Sequence, residues 1–143
     1  MTLRRASSKV AVLEKLPLFA GLSQKDLEQV SRLAKEVDVP AGQQIAAAGE
    51  AGRELFIIVD GRARVTTKQG RTIHLGPGDA FGEMSLIDGE PRSADVRAAT
   101  AMRLLAVGYR EFWQLMDDYL PIVRKITRAL ARRLRDAERS PLA

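Results

Sequence analysis

Cysteine is absent from the 143-residue chain. That excludes disulfides, thiolate-ligated zinc, iron–sulfur clusters and a thiol nucleophile. Histidine occurs once, at His74, so no multi-histidine metal site can be built. No stretch approaches the ~18 consecutive apolar residues that a spanning helix needs. The first nine residues are basic but lack an apolar core, so they do not read as a secretory signal, and a cytoplasmic location is the expectation. Eleven glycines and six prolines are too few for a collagen-like or low-complexity chain. Against these absences stand 45% hydrophobic and 29% charged residues, the balance of a globular protein with room for one domain and one core.

The net charge of +5 is unevenly placed. Residues 1–118 hold 16 basic and 16 acidic side chains, whereas residues 119–143 hold seven basic and two acidic ones. A basic terminal segment suits nucleic acid, an acidic lipid surface or a phosphorylated ligand. A solvated helix face accounts for the same residues.

Three zones follow one another. In residues 1–38, apolar residues from Val10 to Val37 recur at three- and four-residue spacings, which predicts a helix from about Ser7, a break at Pro17 and Gly21, and a second helix over about 24–35. Ser23 is placed as its N-cap, with Asp26 in the first turn. In residues 39–108 the rhythm shortens and glycines punctuate it. Strands are predicted over 55–59, 62–67, 71–75, 94–99 and 102–107, with Asp60-Gly61 reading as a hairpin turn, Gln69-Gly70 as another, and Gly76-Pro77-Gly78-Asp79 as a turn. Such short, evenly spaced strands predict a barrel or sandwich, with a β jelly roll as the natural closure. In residues 109–139, Phe112, Leu115 and Met116 mark a short helix. A longer amphipathic one follows, with Pro121 in its first turn, an apolar face from Ile122 to Ala137 and an end at Ser140-Pro141.

The chemistry concentrates in residues 76–96, GPGDAFGEMSLIDGEPRSADV. Gly82 permits a ligand to approach the backbone. Glu83 opens about one helical turn, Met84 to Ile87, whose free N–H groups favour an anion. Arg92 lies nine residues beyond Glu83, and an arginine fork matches a phosphate. Ser93 and the Ala94 amide add donors, and a carboxylate accepts from sugar hydroxyls. A sugar at one end of the loop and a phosphate at the other is one reading. A Glu83–Arg92 pair bracing the loop is the other.

The segment FGEMSLIDGEPRSADV, residues 81–96, resembles the phosphate-binding cassette of cyclic nucleotide-binding domains, as in catabolite activators, protein kinase A regulatory subunits and cyclic nucleotide-gated channels. The resemblance extends over about residues 10–139, through LPLFAGLS at 16–23, Gly49-Glu50, the 55–61 strand and glycine, and Gly76-x-Gly-Asp79. It implies a mainly β jelly-roll domain with flanking helices. It implies further that Glu83 accepts from the ribose 2′-hydroxyl and Arg92 pairs with the cyclic phosphate. Gly82 and Ala94 would supply amides and Ser93 its hydroxyl, with Met84 and Ser85 in the same ligand set. Phe81, Val65 and Ile73, with Leu86, would line the pocket.

Family members with threonine after the arginine favour cGMP, and those with alanine favour cAMP. Ser93 resembles the cAMP-responsive activators, so cAMP is the expected ligand ahead of cGMP. Two departures stand out: Asp95, and Ala137-Glu138 where the activators carry adenine-contacting hydroxyls. No cofactor or metal is expected. The last helix fits a homodimer contact, or a lid in which Arg128 or Arg132 stacks over the base. The signal would pass to an unknown effector protein. No helix-turn-helix is present, so sequence-specific DNA binding is not expected. His74 reads as a surface strand residue, and no pair of carboxylates is disposed for hydrolysis, so no enzyme is expected. A scaffold that has lost its ligand, or the sensor segment of a larger channel, kinase or transcription factor, are the alternatives.

Overall fold

A computed structural model describes residues 9–138. The basic start before Lys9, the helix start near Ser7, Arg139 and the Ser140-Pro141 end all lie outside the described residues. Two compact units emerge. One runs from Leu33 to Trp113, and the other joins the residues before it to those after it.

The first unit is the β jelly roll. Its sheets are β1(Lys35–Val39), β8(Met102–Gly108), β3(Glu54–Asp60) and β6(Ala80–Phe81), in that order, and β2(Gln44–Ala46), β7(Ala94–Ala98), β4(Ala63–Thr67) and β5(Thr72–Leu75). Every pairing is antiparallel. Alternation along the strands sends Ala63, Val96 and Ala98 inward while Arg64 and Arg97 stay exposed. Phe56, Ile58, Phe81, Leu104 and Met102 fill the space between, and the Phe56 and Phe81 rings stack at 5.2 Å. The short helix α2(Glu83–Asp88) packs on β3, and α3(Tyr109–Asp118) begins in this unit.

The Asp60-Gly61 hairpin expected from sequence does not form. β3 pairs with β6 and β8, and β4 with β5 and β7, so this turn carries the chain from one sheet to the other. The turn is held from outside: the Arg62 amide donates to Thr100 Oγ1 at 3.0 Å, and the Ala99 amide donates to the Arg62 carbonyl at 2.9 Å. Gly61, at φ 92°, is required because a Cβ there would collide with Ala101 and Met102. The Gln69-Gly70 turn does close a hairpin, with Thr66 opposite Thr72.

The helical unit holds a helical turn over 9–13, a 3-10 turn at Pro17–Phe19, α1(Gln24–Leu33) and α4(Leu120–Glu138). α4 packs on the 3-10 turn. Leu13, Leu18, Phe19, Val30 and Ile122 are buried. Ser23 and Asp26 form a reciprocal cap on α1: the Asp26 amide donates to Ser23 Oγ at 3.1 Å, and the Ser23 amide to Asp26 Oδ2 at 3.0 Å. The expected helix ends two residues early. Residues 35–38, assigned by rhythm to the N-terminal helical segment, are strand β1, because Val37 and Val39 alternate with charged residues and pair with Leu104 and Met102. β2 and β6, of three and two residues, went unassigned from sequence.

Candidate functional site

Arg92 is the organising residue. It follows the Gly89–Pro91 turn, whose Gly89 caps α2 with φ 69° and donates its amide to Ser85. The main chain at Arg92 is clamped from both sides: its amide donates to the Glu50 carbonyl at 2.8 Å, and its carbonyl accepts from the Gly49 amide at 2.9 Å. Asp95 accepts from the Ala48 amide at 2.7 Å, which ties the same loop to β7. Asp95, a departure from the family pattern, therefore has a structural task.

The Arg92 side chain is 8% exposed, and its guanidinium lies over the Phe56 ring, 5.6 Å from the centroid. Two glycines make room for it. A Cβ on Gly82 would collide with Arg92 Nη1 and come within 2.6 Å of the Glu54 carbonyl, and Gly82 itself is left-handed at φ 83°. A Cβ on Gly52 would strike Ser85 and come within 3.2 Å of Arg92 Cδ. Burial pulls the guanidinium below its ordinary pKa, and the Glu54 carboxylate opposes that pull. The group remains a cation. Nη1 is buried without a hydrogen-bond partner. A buried cation with an orphan donor is costly, and an incoming anion relieves the cost.

A cavity of about 260 Å³ opens here. Its lining brings together Phe81, Gly82, Glu83, Met84, Ser85, Arg92, Ser93 and Ala94 from the cassette with Val65 and Ile73 from the barrel. Glu83 is half-buried at the start of α2. The Leu86 amide closes the first turn on the Gly82 carbonyl at 3.1 Å, so the amides before it have no intrahelical acceptor. Met84 and Ile73 are 65% and 46% exposed, which leaves apolar surface at the rim. One cation, backbone and hydroxyl donors and apolar walls suit an anionic ligand that carries an apolar group.

Leu86, offered from sequence as a wall, is fully buried and does not line the cavity. Its carbonyl accepts from Trp113 Nε1 instead. Arg128 and Arg132 line a different hollow, within the helical unit. His74 lies on exposed β5 opposite Arg64. Gly52, Phe56 and Glu54 were missed from sequence. Gly52 had the only signal, as one of many glycines, and its neighbours Ser85 and Arg92 are distant in the chain.

The barrel and the cassette define the class: a jelly-roll domain with a cavity suited to a small phosphate-bearing ligand. A model of the cyclic nucleotide-binding domain matches residues 36–119, more than half of the chain. The chain belongs to the cyclic nucleotide-binding domain family. It is 40% identical over 125 residues to a cyclic nucleotide-gated potassium channel of Mesorhizobium japonicum, covering 87% of this chain and 34% of the channel. It is 36% identical over 128 residues to the cyclic AMP receptor protein of Thermus thermophilus, covering 85% and 59%. The solved N-terminal domain of a transcriptional regulator from Streptomyces coelicolor A3(2) superposes with a TM-score of 0.80 at 30% identity, covering 90% of this chain and 96% of that one. The chain thus spans about a third of the channel's length and somewhat over half of the receptor's. The family is one of ligand-binding regulatory domains. No described helix is long and apolar enough to cross a membrane.

Proposed function

We propose that this domain senses a cyclic purine nucleotide, cAMP in preference to cGMP, and passes the binding event through its last two helices to a partner. The observation that carries the reading is the buried, unpartnered Nη1 of Arg92 on the wall of the cassette cavity. The cyclic phosphate would accept from it, with the Ala94 amide and Ser93 hydroxyl beside it. Glu83 would accept from the ribose 2′-hydroxyl, and Met84, Val65 and Ile73 would cover the base. A loop merely braced by a Glu83–Arg92 pair, or a scaffold without ligand, leaves the orphan donor unexplained. The reading is binding without turnover. A relative named as a cyclic AMP receptor supports the choice of base, as does serine rather than threonine at position 93.

The output runs through α3 and α4. Trp113 on α3 holds the carbonyl of Leu86 on α2, so a shift of α2 on binding reaches α3 directly. On α4, Leu120, Val123, Thr127, Leu130, Leu134 and Ala137 recur at alternating three- and four-residue steps, the seam of a coiled coil. Leu120 and Leu134 are 73% and 63% exposed. Thr127 donates its hydroxyl to the Val123 carbonyl at 2.8 Å, which satisfies that polar group within the helix. A second copy of this chain would cover that face. Whether the domain works alone or as the sensor of a longer protein, these two helices are its output.

The test is a competition between cAMP and cGMP on refolded, ligand-free protein, run beside Ser93→Thr. The wild type should bind cAMP more tightly. The variant, whose β-branch restricts the rotamer of the hydroxyl that serine already carries, should gain cGMP affinity by about three- to tenfold. Failure of the wild type to bind either nucleotide would refute the reading.

A further inference from the structure

α4 carries a basic face, opposite the seam. Lys125, Arg128 and Arg132 stand at i, i+3 and i+7 on it, a stripe about 10 Å long. Beside the stripe, the Pro17–Gly21 turn leaves a hollow of about 350 Å³, whose other wall is Arg128, Ala129, Arg132 and Arg133, with Asp136 at one end. Small residues floor it. A Cβ on Gly21 would only reach ordinary contact with Lys125 Cβ, at 3.7 Å, and Ala20 and Ala129 add no bulk. Lys125 is tied to Asp26 by an ion pair at 2.6 Å, which fixes one side of the hollow. Among the described residues, neither Arg128 nor Arg132 forms an ion pair or a hydrogen bond through its side chain.

We propose that this hollow is a docking site for an acidic peptide segment of a partner protein, whose carboxylates pair with Arg128 and Arg132 while its backbone lies against Gly21 and Ala20. Three features favour a peptide over the broader anions that a basic helix also attracts. The cations line a concavity, which the broad surface of a bilayer or a duplex cannot enter. Its floor is made of small residues, which admit a main chain closely. The cations repeat at helical spacing, which matches carboxylates repeating at the same spacing. Arg128 and Arg132 set the acidic residues of the partner opposite 128–132. An arginine held in this way cannot stack over a bound base, so docking and the lid role are mutually exclusive for Arg128 and Arg132.

The probe is a short fluorescein-labelled peptide with glutamates at three- and four-residue spacing and alanines between, titrated by fluorescence anisotropy against the full chain. The paired substitution Arg128→Glu/Arg132→Glu should weaken binding at least about tenfold and flatten its salt dependence. Gly21→Leu should weaken it comparably by filling the hollow without changing charge. Arg64→Glu, a charge reversal half as large on the barrel, should leave peptide binding as in the wild type, and the α4 pair should leave cAMP affinity as in the wild type. Equal weakening by Arg64→Glu, or undiminished binding by Gly21→Leu, would reduce the site to unspecific surface charge and overturn the proposal. Loss of cAMP affinity with peptide binding intact would assign the arginines to the nucleotide instead. Tighter binding of duplex DNA or phosphatidylserine vesicles than of the peptide, lost in the same variants, would also overturn it.

Discussion

Trp113 Nε1 donates to the main-chain carbonyl of Leu86 at 2.9 Å, joining α3 to the helix that opens with Glu83. Tyr109 and Phe112 flank the indole at 6.4 and 5.7 Å between ring centroids, so its position is set by packing as well as by the bond. Trp113→Phe keeps the ring and removes the donor. It should destabilise the domain by about 1 kcal/mol, the cost of one part-buried carbonyl left unpaired. It should also weaken the dependence of the last helices on nucleotide, read as hydrogen exchange in α3 with and without cAMP. Unchanged exchange differences would mean that this bond does not transmit the event.

Arg92 is expected to trade stability for function. Its guanidinium is buried over the Phe56 ring with one nitrogen unsatisfied. Arg92→Met retains the stem and deletes the charge. The ligand-free protein should become more stable by about 1–2 kcal/mol, as when buried ions give way to apolar side chains of similar volume. Thermal melts of stripped protein would show it, and a lowered midpoint would mean that the cation holds the loop together by itself.

Acid should loosen the helical unit through Asp26. Burial by itself raises its pKa, but Lys125 and the amide and hydroxyl of Ser23 outweigh that and hold it below the ordinary 3.8. A carboxyl whose folded pKa is depressed binds fewer protons folded than unfolded, so its contribution is full above 3.8 and drains away as pH falls through the lower folded value. Asp26→Asn should therefore cost stability at neutral pH, by about 1 kcal/mol at most for a pair near the surface, and the difference from wild type should vanish in strong acid. Melts over that range check it. A difference that stays constant into acid would remove Asp26 from the account.

Much of this was legible in the chain. The cassette glycines, Glu83 and Arg92 sit at fixed spacing in one short stretch, so their meeting in one cavity required no long-range information. The turn at Gly61 was misleading for the opposite reason. Asp-Gly between two apolar runs is a hairpin signal locally, yet the partners that decide the turn, Thr100 and Met102, lie some forty residues away. Gly52 was legible only as one of many glycines, because it leaves space for side chains brought in by the fold. β1 was absorbed into the preceding helix because three- and four-residue spacing continues by chance through Val37, where pairing with β8 overrides it.

The seam on α4 makes a plain prediction about assembly. Leu134→Glu places a charge at a coiled-coil core position, where two copies would face each other. Light scattering after size exclusion should find wild type as a dimer and the variant as a monomer with unchanged circular dichroism. A wild-type monomer at all concentrations would leave the seam without its second copy.

The central claim is that the orphan donor of Arg92 exists to receive a cyclic phosphate. Calorimetric titration of cAMP into ligand-free wild type and Arg92→Ala tests it most directly. The wild type should bind at micromolar concentration or below, and the variant at least about tenfold more weakly, since a charged hydrogen bond to phosphate is worth roughly 1.5–3 kcal/mol. Equal affinity in the two proteins would contradict the account, because the phosphate would then be held elsewhere.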